Sequence, residues 1–287
     1  MKRVKQLIKS VPGCQQILTL RASLRTLFRL NWRKTILVNF RFLKFSEAIK
    51  FPIYVYGKLY LLKSQTGKII IKAPVKRGMI CMGINWDNFS ASRGSALLDL
   101  HGSIIFHGEC IFSVDTSVQV LESAEIDLER FTFLGNSVKI KCYKKIHLGE
   151  STRISVESQL FDTNFHFVKD LKTGEIHNNI TPIYIGNRCW IGNRTSIMKG
   201  TTLPDGCIIS SNSLLNKDYI AKGVQPYSVL AGTPAKVVGE AQTRIFSIRE
   251  EQRLRAFFDM HPNEIYQGTP SIEDETKDLT FYFNWWR

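Results

Sequence analysis

The chain is 287 residues long and 44% hydrophobic, enough to bury a full core, and its 39 Lys and Arg against 25 Asp and Glu leave a net charge of +14. No apolar run approaches the ~18 residues a membrane-spanning helix needs, and the basic start MKRVKQLIKSVPG has no leader-like apolar stretch behind it, so a cytosolic protein is expected. Cys14, Cys81, Cys110, Cys142, Cys189 and Cys207 form no C-x-x-C pair and no disulfide-like pattern, which fits buried thiols in a reducing compartment.

The positive charge is concentrated at one end. Residues 1–78 hold 18 Lys or Arg and a single acid, Glu47, whereas the remaining 209 residues carry a slight negative excess. Arg21, Arg25, Arg29 and Arg33 recur at every fourth position beside Ile17, Leu20, Leu24 and Leu27, which predicts an amphipathic helix with a guanidinium stripe. Such a helix either caps the open end of the fold with its arginines in water or lies peripherally on an anionic membrane, since both settings select the same pattern. The basic residues alternate with Leu, Phe, Ile and Trp and carry no recognition motif, so no nucleic-acid partner is expected. Residues 51–62 and 68–75, rich in Ile, Tyr, Val and Leu, predict strands.

A six-residue beat then starts at Leu100 and runs through Phe106, Phe112, Val118 and Ala124; it fades over residues 126–142 and returns in phase at Leu148, Ile154 and Leu160. The next step lands on His166, a polar residue in an aliphatic position, and regular spacing resumes only at Ile185, 19 residues later. Residues 161–182 are therefore predicted to leave the regular structure as an excursion loop, the part of a rigid scaffold that most often carries function.

From Ile185 the beat is strict, through Ile191, Ile197, Leu203, Ile209 and Leu215, with Cys189, Thr195, Thr201, Cys207 and Ser213 each four residues after an aliphatic one. No helix or ordinary strand repeats every six residues, but a coil of three flat faces does, each face sending one aliphatic residue inward. Three hexapeptides make a turn of 18 residues, which predicts Ile185 beneath Leu203, Ile191 beneath Ile209 and Cys189 beneath Cys207. Beyond Val238, Ser247 and Glu250 form a capping box for a helix through about Met260, and the tail TFYFNWWR is rich enough in aromatics to pack against the body or a neighbouring copy. Three segments follow: a basic N-terminal region (1–66), the solenoid (67–238) and a C-terminal helix and tail (239–287).

The stretch PIYIGNRCWIGNRTSIMKGTTLPDGCIISSNSLLNKDY from Pro182, with YSVLAGTPAKVV from Tyr227, resembles the hexapeptide-repeat acyltransferases. Within them it is most similar to sugar O-acetyltransferases, including galactoside and maltose acetyltransferases and those that modify capsule and O-antigen polysaccharides. The likeness is specific over about residues 162–238, weaker over 97–160, and does not reach the first 60 or last 45 residues. It implies an all-β solenoid, a left-handed parallel β-helix with helical decorations at both ends. It also implies a homotrimer with active sites between subunits, acetyl-CoA as cosubstrate, no metal, and a sugar or glycan hydroxyl as acceptor.

Acyl transfer to a hydroxyl needs a base for its proton and a groove for a long phosphorylated donor. His166, in the sequence DTNFH 24 residues before Trp190, matches the family's catalytic histidine, although Phe167 follows it where the family often has Pro. Asp162 is placed to orient the imidazole. The resemblance assigns Trp190 to a wall shared by acceptor and pantetheine, and Asn193, Ser211, Asn216, Lys217 and Lys236 to the cofactor, with Lys236 on a phosphate, while Gly192 would let the cofactor approach the backbone closely; Asn136 would contact the acceptor. His101, His107, His177 and His261 carry no motif and read as structural. Three alternatives stay open in principle: acetylation of an amino sugar nitrogen, a non-catalytic trimeric scaffold, and the metal-dependent carbonic anhydrase branch of the fold, for which the histidine spacing supplies no set of three.

Overall fold

A computed structural model describes residues 28–62, 65–85, 95–268 and Leu279. Three sheets run the length of the molecule, and every third strand joins the same sheet, which makes it a three-sided parallel β-helix. Sheet 1 stacks β1 (Ile53–Val55), β4 (Ile80–Ile84), β7 (Cys110–Ser113), β10 (Thr132–Leu134), β13 (Arg153–Ile154), β16 (Trp190–Ile191), β19 (Ile208–Ile209), β21 (Val229–Gly232) and β22 (Ala235–Gly239). Sheet 2 stacks β2 (Lys58–Leu61), β5 (Ser95–Leu100), β8 (Ser117–Val120), β11 (Lys139–Cys142), β14 (Gln159–Phe161), β17 (Ser196–Met198) and β20 (Leu214–Leu215). Sheet 3 stacks β3 (Lys68–Ile71), β6 (Ser103–Phe106), β9 (Glu125–Leu128), β12 (Lys145–Leu148), β15 (Ile183–Ile185) and β18 (Thr202–Leu203). The sheets thus begin at Ile53, ahead of the boundary expected at residue 67, and end at the antiparallel β21–β22 pair.

The core is a set of columns. On sheet 1 the column runs Phe112, Leu134, Ile154, Ile191, Ile209, Leu230, and on sheet 2 it runs Val118, Ile140, Leu160, Ile197, Leu215, all buried. Ile185 lies under Leu203 and Ile191 under Ile209, as the strict repeat requires. The beat fades over residues 126–142 because the earlier coils are longer. Val118 and Ile140 are partners 22 positions apart and Ile140 and Leu160 are 20 apart, whereas Ile197 and Leu215 are separated by 18. Corners absorb the surplus without disturbing the inward positions, so the columns persist while the sequence phase slips. The first corner of each coil, from sheet 1 to sheet 2, turns on a residue in the left-handed region: Asp115, Ser137, Glu157, Arg194 and Asn212 all have φ near +60°.

Leu160 and Ile197 are also ladder partners, yet they lie 37 positions apart. The extra residues leave at the second corner and form a hairpin-like arm. Thr163 bridges Ile180 and Lys169 bridges Ile176 in antiparallel fashion, Thr181 N–H donates to Asp162 O at 3.0 Å to close the base, and the tip is an Asx turn on Asp170. The excursion is a built arm on a closed coil.

The lower end of the solenoid is capped by α1 (Trp32–Phe42) and the short α2 (Phe45–Ala48). Parallel β1 presents an edge that would otherwise be unpaired. Asn39, fully buried, donates from Nδ2 to Ile53 O at 2.7 Å and accepts from Ile53 N at 3.1 Å, and Thr35 Oγ1 accepts from Val55 N at 3.1 Å, so two side chains of α1 replace the missing strand. Val38 and Phe42 enter the core beside them. The predicted arginine-striped helix falls mainly on residues 17–27, which lie outside the described residues, as does Cys14; the observed cap is the segment just after it. The other five cysteines are buried and reduced.

After β22 the chain returns along sheet 1, where Ser247 caps α3 (Ile248–Met260), its Oγ accepting from Glu250 N at 3.1 Å, as the sequence predicts. A second apolar cluster lies outside sheet 1, where Leu30, Phe246 and Leu279 cover Tyr54, Cys81, Ile111 and Phe133. Leu279 is buried there, whereas the aromatic tail of residues 280–287 lies outside the described residues. Asn39→Ala leaves Ile53 N–H and C=O buried without partners, and we expect it to lower unfolding free energy by about 1–3 kcal/mol in urea titrations, with no effect on the arm.

Candidate active site

His166 sits at the root of the arm, exposed, three residues beyond the closing bridge at Thr163. Its backbone is set by its neighbours. Phe165 takes φ of 62°, an uncommon conformation for a bulky residue, and is held there by edge-on rings of Phe161 and Tyr143, by the Lys141 ammonium 4.9 Å from its ring centre, and by its own N–H to Thr163 Oγ1 at 2.9 Å. His166 N–H then donates to Asn164 O at 2.7 Å. The aromatic clamp therefore fixes the chain immediately before the imidazole.

The other five histidines each lie within 4 Å of a carboxylate. His101 meets Asp99 at 3.0 Å, His107 and His147 flank Asp127 at 2.8 and 3.2 Å, His177 meets Glu175 at 3.5 Å, and His261 meets Glu264 at 2.9 Å. Among the described residues His166 has no such ion pair. The Asp127 carboxyl is resisted by burial but held below its ordinary range by hydrogen bonds from both imidazoles, so this trio is committed to the wall of sheet 3. Among the described residues no three His, Cys, Asp or Glu side chains converge as metal ligands.

Asp162 does not orient His166. It is fully buried, and its two oxygens accept from Tyr143 N and Lys144 N at 2.7 Å and from Lys145 N at 3.0 Å, with Cys142 Sγ at 3.7 Å. The carboxylate ties the arm's root to the turn of the coil below. Burial pushes its pKa up, and the three backbone donors act in the opposite direction. Gly192 also has a different use from the one expected. A Cβ there would lie 2.6 Å from both Ile209 O and Ser211 N, so the glycine makes room for the next coil's corner and not for a ligand. Asn136 is 2% exposed, with neither side-chain polar atom hydrogen-bonded, and it does not reach the surface where an acceptor would lie.

The remaining residues fall into two groups at opposite edges of sheet 2. Trp190 projects from sheet 1, 37% exposed, its Nε1 donating to Ser155 Oγ at 3.2 Å, and Asn193 and Ser211 are stacked and exposed on the first corner just beyond it. Lys236 is exposed on the terminal β21–β22 pair of the same sheet. His166 lies at the second corner, with Asn216 and Lys217 two coils above it, about 10 Å along the axis at ordinary strand spacing. Within one chain the candidate base and the Trp190 wall face different sides of the prism.

A cavity of about 480 Å³ opens on the Trp190 side, between sheet 1 and α3, lined among others by Phe133, Arg153, Trp190, Asn193, Arg244 and Arg255. Arg244 lies 5.2 Å over the Trp190 ring, and Arg153, Arg188 and Arg244 all approach the ring of Phe246 within 5.8 Å. Sequence reasoning missed this cationic, aromatic wall. Arg153 was legible in principle, since it stands one coil below Trp190 in the same outward row, but Arg244 and Phe246 arrive from the folded-back C-terminal segment. Replacing Asp162 with Asn removes the charge that three N–H groups share, so urea unfolding should show a loss of about 1–3 kcal/mol, whereas a role in orienting the base would appear instead as a changed pH–rate profile.

No family's sequence model matches the chain, but individual proteins do. A probable acetyltransferase of Mycobacterium tuberculosis is 31% identical over 112 residues, 38% of this chain and 35% of its own length. The galactoside O-acetyltransferase of Escherichia coli is 37% identical over 73 residues, 25% of this chain and 32% of that enzyme. A candidate colanic acid biosynthesis acetyltransferase of Escherichia coli, WcaF, is 28% identical over 124 residues, 43% of this chain and 63% of its own. The chain spans about a third or less of the length of the first curated relatives it matches. In its six-residue repeat and stacked three-sided coils the chain resembles the hexapeptide-repeat acetyltransferases, and over part of its length its sequence is similar to these enzymes.

Proposed function

We propose that this protein is an acetyl-CoA-dependent O-acetyltransferase whose acceptor is a hydroxyl of a sugar or of a cell-surface polysaccharide intermediate. The observation that carries the reading is His166: an exposed imidazole without a carboxylate partner among the described residues, on a backbone fixed by an aromatic clamp, at the root of the arm that leaves the coil after β14. The names of the relatives support a sugar acceptor, since they include a galactoside and a colanic acid biosynthesis acetyltransferase.

In this mechanism His166 accepts the proton of the acceptor hydroxyl as its oxygen attacks the thioester carbonyl. The new C–O ester bond forms, the C–S bond breaks, and the imidazolium returns the proton to the departing thiolate. Trp190 forms a wall for acceptor and pantetheine, Lys217 and Lys236 offer point charges to phosphates, and Asn193, Ser211 and Asn216 offer polar contacts along the same path. The exposed positions of Trp190, Asn193, Ser211, Asn216 and Lys236 and the half-exposed Lys217 fit that use; Gly192 acts only by admitting the neighbouring corner.

Because the two groups lie on different sides of one chain, the reading requires assembly. A homotrimer brings the second corner of one copy against sheet 1 and the first corner of the next, so that each site is shared. His166→Ala should lower turnover about 10²- to 10⁴-fold while leaving acetyl-CoA binding by calorimetry nearly intact. Trp190→Ala should be impaired as well. Mixing the two inactive proteins after unfolding and refolding should restore about a quarter of the sites, since in a shared site each variant supplies the half the other lacks. A monomer by light scattering, or no recovery on mixing, would overturn the shared site. Lys236→Ala should raise KM for acetyl-CoA more than it lowers kcat, because a remote phosphate contact binds substrate and transition state alike. Nitrogen acetylation of an amino sugar in a panel of acceptors, with hydroxyl-only sugars inert, would replace the acceptor assignment.

A further inference from the structure

Helix α1 carries apolar residues on both faces, with Val38 and Phe42 in the core and a second set turned outward. Its inward face spends Thr35 and Asn39 on the backbone of β1, and its outward face is apolar. Ile36, Leu37 and Phe40 are 47, 44 and 43% exposed, and α2 continues the patch with Phe45 and Ile49 at 73 and 50%. The rings of Phe45 and Phe51 lie 5.9 and 6.0 Å from that of Phe40, which makes the patch contiguous. An apolar surface of this kind on a folded domain marks a site of interaction.

Its rim indicates the partner. Residues 28–50 contain six Lys or Arg and only Glu47 as an acid, and Arg29, Arg33, Lys44 and Lys50 are exposed around the apolar residues. Aromatic and aliphatic side chains inside a ring of cations match the boundary between acyl chains and anionic headgroups, where rings enter the interface and basic side chains reach the phosphates. We infer that this pole of the solenoid docks on an anionic lipid bilayer, with α1 and α2 lying in the interface. The sequence pattern put the membrane-facing alternative on Arg21 to Arg33; the structure places the exposed apolar face on residues 32–49, where the aliphatic and aromatic residues, and not the arginines alone, make the contact.

Docking at the pole sets the height of the site. His166 leaves the coil at β14, four ladder steps above β2 in sheet 2, or about 20 Å from the capped end at the ordinary strand spacing. Resting on the proposed acetyltransferase reading, that height suits an acceptor sugar held above the bilayer on a lipid carrier, within reach of a site near the membrane but not in it.

The test is sedimentation of the full chain with vesicles of phosphatidylcholine alone and of phosphatidylcholine mixed with phosphatidylglycerol, without acetyl donor or acceptor, so that failure of the enzymatic reading leaves it intact. The native protein should pellet with the anionic vesicles, not with the neutral ones, and should be released as salt shortens the Debye length toward about 3 Å near 1 M. The double variant Ile36→Ser and Phe45→Ser, whose side chains are exposed in the fold, should bind at least about tenfold more weakly, with an unchanged circular dichroism melt. Arg33→Glu with Lys44→Glu should lose the preference for phosphatidylglycerol. A native chain that stays in the supernatant would overturn the inference. So would variants that bind as well as native, or light scattering showing that the native protein pairs pole to pole and that the serine variant abolishes the pairing.

Discussion

The parallel ladder is the constraint on which everything else rests. Each strand hydrogen-bonds to the strand one full turn earlier, so each inward side chain must lie over its predecessor, and Phe112, Leu134, Ile154, Ile191 and Ile209 become one column although they are 18 to 37 positions apart in the chain. Any residues that do not fit a coil are expelled at a corner, because a corner can lengthen without shifting the ladder. Lengthening by two or four residues gives the coils between Leu98 and Leu160, and a much longer insertion gives the arm with His166 at its root. The same rule that holds the core together thus decides where an arm can emerge.

Both ends of a stacked ladder are exposed edges, and the chain treats them differently. At the upper end β22 folds back antiparallel on β21. At the lower end α1 supplies side-chain hydrogen bonds in place of a strand, which turns Thr35 and Asn39 inward beside Val38 and Phe42 and leaves Ile36, Leu37 and Phe40 facing out. The unusual surface at that pole follows directly from how the edge is satisfied.

The candidate site is divided by the same geometry. Side chains on a prism point away from its axis, so groups on sheet 1 and groups at the second corner diverge, however close they are in sequence; 24 residues separate His166 from Trp190, yet they face different ways. Under the proposed function their convergence comes from a neighbouring copy, so one experiment tests the chemistry and the assembly together. The cationic cavity beside Trp190 adds a further element to that wall, built from Arg153 on the ladder and Arg244 and Phe246 on the returning C-terminal segment.

The period of six by itself determined the three-sided coil, the partners of Ile185 and Ile191, the place where the coil is interrupted, and the polar residue at that interruption, because each of these depends only on spacing along the chain. The capping box at Ser247 was equally local. What the tertiary structure alone decided concerns which neighbour a side chain meets across the ladder. Asp162 reads as a partner for His166 four residues away, but its buried carboxylate faces the backbone of residues 143–145; Gly192 reads as space for a ligand, but the space is taken by Ser211; Asn136 reads as an acceptor contact, but it is enclosed. Spacing specifies the face on which a residue stands, whereas its contacts are set by the coils above and below, which lie 18 or more residues away and vary in length.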